Sequence, residues 1–148
     1  MKLAKALKTK NLLSGDIARL REVIATQNSG LAKNEALFDV PALEVQLAAK
    51  VDELVALKAA IARANGPIYS DIFALAELKG EMAWLKTITV KHGIHLEGGA
   101  HGFAEMKEVA YKAQITQPEI ERRLQDLTVR AAEIQDRLDA FNHVTDLA

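Results

Sequence analysis

The sequence contains no cysteine. Disulfides, thiolate nucleophiles and cysteine-type zinc sites are excluded at once. Aromatic residues are only 5% of the 148 positions, too sparse for a base-stacking surface. Proline occurs three times, which leaves room for long helices. The net charge is −1, so no overall pull toward nucleic acid arises. No apolar run approaches the roughly 20 residues of a membrane span. The basic N-terminus lacks the apolar core and cleavage site of a secretory signal. A cytoplasmic protein is the expectation.

What is present is mostly Ala, Leu, Ile and Val, within a hydrophobic content of 49%. Ala and Leu are strong helix formers. In the first segment Leu3, Leu7, Leu13, Ile17, Leu20 and Ile24 recur at helical spacing. Lys10 interrupts that stripe, and Gly15 weakens the helix by about 1 kcal/mol relative to Ala. Asn28-Ser29-Gly30 supplies a stop. The second segment has Asp39 as a plausible N-cap and Pro41 in its first turn. Its apolar face is Leu47, Val51, Leu54, Leu57 and Ile61, and Asn65-Gly66-Pro67 ends it. The third begins at Ser70 or Asp71 and carries Ile72, Leu75, Leu78, Met82 and Leu85. Its short link to the second segment predicts an antiparallel hairpin of the two.

Between Ile94 and Ile115 the helical pattern fails. Gly98, Gly99 and Gly102 predict a loop. Val109, Tyr111, Ala113 and Ile115 then alternate with Glu108, Ala110, Lys112 and Gln114, which is a strand period. A lone strand must pair, and Ile94–Leu96 or the same strand of another subunit are the candidates.

The last segment carries the clearest signal. Thr116-Gln117-Pro118-Glu119 reads as a capping box with proline in the first turn. Ile120, Leu124, Leu127, Ala131, Ile134, Leu138 and Phe141 follow in alternating steps of four and three. Such a repeat implies a left-handed supercoiled seam. The expected fold is mainly α: an antiparallel, coiled-coil-like bundle of about four long helices. These span 2–28, 41–65, 70–91 and 117–142, in a single domain covering 1–148. A strand-like segment over 93–115 forms a short hairpin before the last helix.

Charge is blocked along the chain. Residues 1–33 carry seven Lys/Arg against two Asp/Glu, a net of +5. Residues 34–62 and 117–148 each carry a net of −3. The basic first helix is therefore expected beside an acidic one, in the same chain or across an interface. Exposed pairs contribute little energy, so the consequence is register and partner choice.

Candidate chemistry is thin. His92, His95 and His101 lie within ten residues, with Glu97 among them. Three imidazoles and a carboxylate suit zinc, but the spacing is not a standard one, and solvated loop histidines are the favoured reading. The Glu97–Gly102 loop lacks the Lys-Ser/Thr and following helix of a phosphate loop. Ser14, Ser29 and Ser70 stand in no nucleophile context. No Glu-x-x-His pair of the di-iron bundle type occurs. No enzyme activity and no cofactor are expected. Lys2, Lys5, Lys8 and Lys10 oppose the dipole at a helix start, so an acidic partner or an anionic membrane surface would suit them. Trp84 is expected in the core or at an interface. Arg122, Arg123, Arg130 and Arg137 are diluted by seven acids in residues 117–148, which disfavours a nucleic-acid role.

The opening Met1-Lys-Leu-Ala-Lys-Ala-Leu, the phrase Ile61-Ala-Arg-Ala-Asn65, the stretch Glu105–Ile115 and the heptads closing on Phe141-Asn142 resemble a family of small bacterial proteins of unknown function. Members are sometimes labelled septicolysin. The resemblance implies a helical, coiled-coil-like fold over most of the chain and carries no catalytic residues; the label implies a lysin. The leading expectation is a non-enzymatic scaffold that self-associates or binds a helical partner, using Leu47, Val51, Leu54, Ile61, Leu75, Met82, Trp84, Leu124, Leu127, Ile134, Leu138 and Phe141. The alternatives are a membrane-active protein using the N-terminal lysines and a metal-binding protein using the His/Gly loop.

Overall fold

A computed structural model describes residues 1–99 and 105–147. It is 69% helical, with four helices and a two-stranded antiparallel hairpin before the last. The helices are α1 (Leu3–Gln27), α2 (Val40–Ala64), α3 (Tyr69–Leu85) and α4 (Gln117–Val144), and the strands are β1 (Gly93–Glu97) and β2 (Lys107–Tyr111). Two compact units divide the chain: Met1–Ser70 with Arg137–Ala148, and Asp71–Asp136.

The first unit is built on α1 and α2, which pack as an antiparallel pair. The reason lies in their repeats. Leu3, Ala6, Lys10, Leu13, Ile17, Leu20 and Ile24 advance in steps of three and four, as do Leu43, Leu47, Lys50, Leu54, Leu57, Ile61 and Ala64. Leu3, Ala6 and Ile61 form a buried cluster, flanked by Leu7, Leu57, Ala64, Phe141 and Leu147. With Ala6 at the level of Ile61, antiparallel pairing sets Ile17 level with Lys50. The Lys50 ammonium accordingly reaches the Asp16 carboxylate at 2.9 Å. Each seam thus carries one lysine, and a polar residue at a seam position fixes register at a cost in stability.

Asp39 caps α2 by accepting from the Ala42 N–H at 3.1 Å, with Pro41 in the first turn. Asn65 closes it, and Gly66–Ile68 continues as a single 3₁₀ turn. The chain ends are fastened together. The Leu3 N–H donates to the Thr145 carbonyl and the Leu147 N–H to the Met1 carbonyl, both at 2.8 Å. The acidic neighbour of Lys2 is Asp146, at 2.7 Å.

In the second unit Leu75, Leu78 and Leu85 of α3 and Ile120, Leu127 and Ile134 of α4 are buried. The Thr128 hydroxyl donates to the Leu124 carbonyl at 2.7 Å and lies 3.6 Å from the Met82 sulfur. α3 ends at Leu85, not at residue 91 as its pattern predicts. Thr87-Ile88-Thr89-Val90 is an unbroken β-branched run, whose side chains lose χ1 freedom in a helix. The last turn tightens accordingly: Thr87 donates to Trp84 and Ile88 to Leu85. The strands pair with His95 opposite Val109 and Ile94 opposite Ala110, so Ile94–Leu96 is the partner of β2. Gly98 sits at φ 113°, and a Cβ there would come within 2.9 Å of the Glu105 carbonyl oxygen.

Candidate functional site

The hairpin reverses the usual arrangement of a half-covered sheet, apolar inward and polar outward. His95 and Glu97 of β1 and Val109 and Tyr111 of β2 share the half-buried face. On the other face Ile94 and Leu96 are 69% and 60% exposed. The polar face is stitched together. The Tyr111 hydroxyl donates to the Glu97 Oε1 at 2.6 Å. The Lys91 ammonium donates to the same oxygen and stands 4.2 Å above the Tyr111 ring centroid. The His95 ring meets Tyr111 edge-on, with centroids 5.7 Å apart.

These contacts displace three titrations. Hydrogen bonds from Lys91, and then from Tyr111, hold the Glu97 carboxyl below its ordinary value. The bond to Glu97 raises both the Lys91 ammonium and the Tyr111 hydroxyl. The cluster stabilises the charged carboxylate and cation and the neutral phenol.

His92 and His95 are used structurally. His92 Nδ1 accepts from the Ala113 N–H at 3.0 Å, and His95 Nε2 donates to the His92 carbonyl at 2.8 Å. His101 lies outside the described residues. Among the described residues no three His, Asp or Glu side chains converge as a metal site.

The N-terminal lysines divide. Lys2 is paired with Asp146 and also donates to the Val144 carbonyl at 2.9 Å. Lys10 is half-buried on the α1 seam. Lys5 and Lys8 are exposed. No described helix is long and apolar enough to cross a membrane.

The core or interface candidates also separate. Ile61, Leu75, Leu127, Ile134 and Leu138 are buried. Leu47, Val51, Leu54, Met82, Leu124 and Phe141 are half-buried. Trp84 is 55% exposed: Leu75, Leu78 and Leu85 take the inward positions, and Trp84 is rotated off that stripe by about 100°. Trp84 is therefore not the core residue that half of its expected role makes it.

A second apolar stripe, missed from sequence, runs along α2. Val45, Ala48, Asp52, Val55, Ala59 and Ala62 repeat in steps of three and four, and every one is exposed. Val45 and Val55 stand at 72% and 61%. The periodicity that places Leu47 and Leu54 inward places this set nearly opposite. Its signal was available: α2 carries apolar residues on two opposite faces, the pattern of a helix covered on more than one side.

These features define a mainly α protein whose polar cluster fastens a hairpin and whose helices leave apolar faces open. Comparison with protein-family models, with curated proteins and with solved structures finds no match.

Proposed function

We propose that this protein is a non-enzymatic helical scaffold that completes its core by associating with another copy of itself or with a helical partner. One observation carries the reading: the chain leaves too much surface open. Its accessible area is 10,928 Å² for 16.2 kDa. A compact monomer of that mass exposes about 7,500 Å², and two separate globules of half the mass together about 9,000 Å². The excess therefore stands whether the two units are counted together or apart. It is also organised. Singly scattered exposed hydrophobics are ordinary, whereas Val45 and Val55 lie on one stripe of α2 and Ile94 and Leu96 on one face of β1.

Sedimentation equilibrium at micromolar concentration tests the proposal. A dimer or larger species is expected, with a loading-dependent average mass. A salt-insensitive monomer at every concentration would sink it.

A further inference from the structure

We infer that the outward stripe of α2 is the seat of a second copy of this chain, bound antiparallel across a two-fold axis. The inference rests on the self-association proposed above and gives it a face and an orientation.

The stripe consists of Val45, Ala48, Asp52, Val55, Ala59 and Ala62, all exposed. Charge on its flanks identifies the occupant. Along one flank, one residue before each of Val45, Asp52 and Ala59, stand Glu44, Val51 and Lys58. Along the other, one residue after Ala48, Val55 and Ala62, stand Ala49, Ala56 and Arg63. None of the described ion pairs includes Glu44, Lys58 or Arg63.

Two helices packed antiparallel bring like flanks together, and parallel packing brings opposite flanks together. Glu44 and Lys58 are two heptads apart on the same flank. Antiparallel pairing about Val51 therefore places Glu44 beside Lys58 of the second copy, and two-fold symmetry makes the pair twice. The opposite flank then meets itself through Ala49 and Ala56, small enough for close approach of the backbones. Parallel pairing would instead place Lys58 beside Arg63 of the second copy, again twice. The charge pattern is self-complementary in one orientation and self-repelling in the other. Asp52 is the single charge in the stripe itself. Unlike Lys50, which meets Asp16 across its seam, it lies beside the two-fold axis near its own counterpart, a repulsion that lowers affinity and that the two Glu44–Lys58 pairs offset.

Charge reversal separates the possibilities, with far-UV circular dichroism as the folding control. In sedimentation equilibrium Lys58→Glu sets Glu44 against the new carboxylate twice, and the dimer Kd rises about ten-fold, as two reversed exposed pairs predict. Glu44→Lys together with Lys58→Glu restores the opposite-charge pairs and returns the Kd to the wild-type value. A Kd that falls on Lys58→Glu would mean parallel pairing and overturn the inference. A wild-type dimer indifferent to both variants would place association on another face and overturn it as well, while leaving self-association standing. A monomeric wild type would remove both.

Discussion

The α1–α2 pair and the β1–β2 hairpin are both antiparallel two-element units, yet they solve burial in opposite ways. The helical pair hides most of its leucines and isoleucines along one seam and admits one lysine per helix. The hairpin turns a Lys–Glu–Tyr–His cluster to its half-buried face and leaves Ile94 and Leu96 in the open. The helical pair is held by non-directional burial, which grows with every apolar layer. The hairpin is held by a few directional contacts on Glu97 and Tyr111. A unit of the first kind yields to cavities, and one of the second kind to the loss of one donor or a change of pH.

The largest break is expected in the helical seam. Leu3 is fully buried against Ala6 and Ile61. Leu3→Ala should lower the unfolding free energy by about 3 kcal/mol, through lost transfer and the cavity left behind. Urea denaturation followed by circular dichroism measures it. The matching change in the hairpin, Ile94→Ser, should shift the urea midpoint little, because that side chain has no cover to lose. Equal effects would erase the contrast.

The next effect concerns the seam lysine. Lys50→Leu replaces a polar group at a seam position with the residue the repeat asks for. The urea midpoint should rise, while amide resonances of α1 and α2 broaden or double as the pair loses its single register. A drop in stability with sharp resonances would mean that the Asp16 contact contributes more than the desolvation of Lys50 costs.

These contrasts also mark what could be read from sequence. The inward face of α4 was legible residue by residue, because Ile120, Leu127, Ile134 and Leu138 follow a strict repeat and burial obeys it. The Asp39 cap was legible because capping is local chemistry. The pairing of Ile94–Leu96 with β2 followed from alternation and a glycine loop. The polar inner face did not: alternation says which residues share a face, and nothing in a five-residue strand says which face is covered. The outward stripe of α2 was hidden by its own makeup, since small alanines and two valines interrupted by Asp52 give a weak apolar signal. Ala6 shows the same limit. A small residue in a seam of leucines looks incidental, yet it is fully buried.

A smaller effect is expected from Tyr111→Phe. The ring and its contacts with Lys91 and His95 remain, and the hydroxyl bond to Glu97 is lost. Hydrogen exchange should quicken at the β1 and β2 amides and stay unchanged across α1 and α2. Uniform exchange rates in the variant would show that the hydroxyl does not fasten the hairpin.

The smallest effects should come from pH, and they too should be confined to the hairpin. Glu97 titrates below its ordinary 4.5 because Lys91 and Tyr111 bond its charged form. Its contribution is therefore complete above pH 4.5 and is lost as pH falls through the lower folded value. Lys91 and Tyr111 are raised from 10.5 and 10.0. Their contributions are complete below those values and are lost as pH rises through the higher folded ones. Outside these limits, on either side, chemical shifts of β1 and β2 should move toward coil positions. The acid side has a control within the same molecule. Asp146, bonded by Lys2, and Asp16, bonded by Lys50, are also lowered from their ordinary 3.8. Each is backed by apolar packing of the α1–α2 pair, so the helical resonances should persist at a pH where the hairpin has loosened. Simultaneous loss of both would mean that the two modes of burial are energetically coupled.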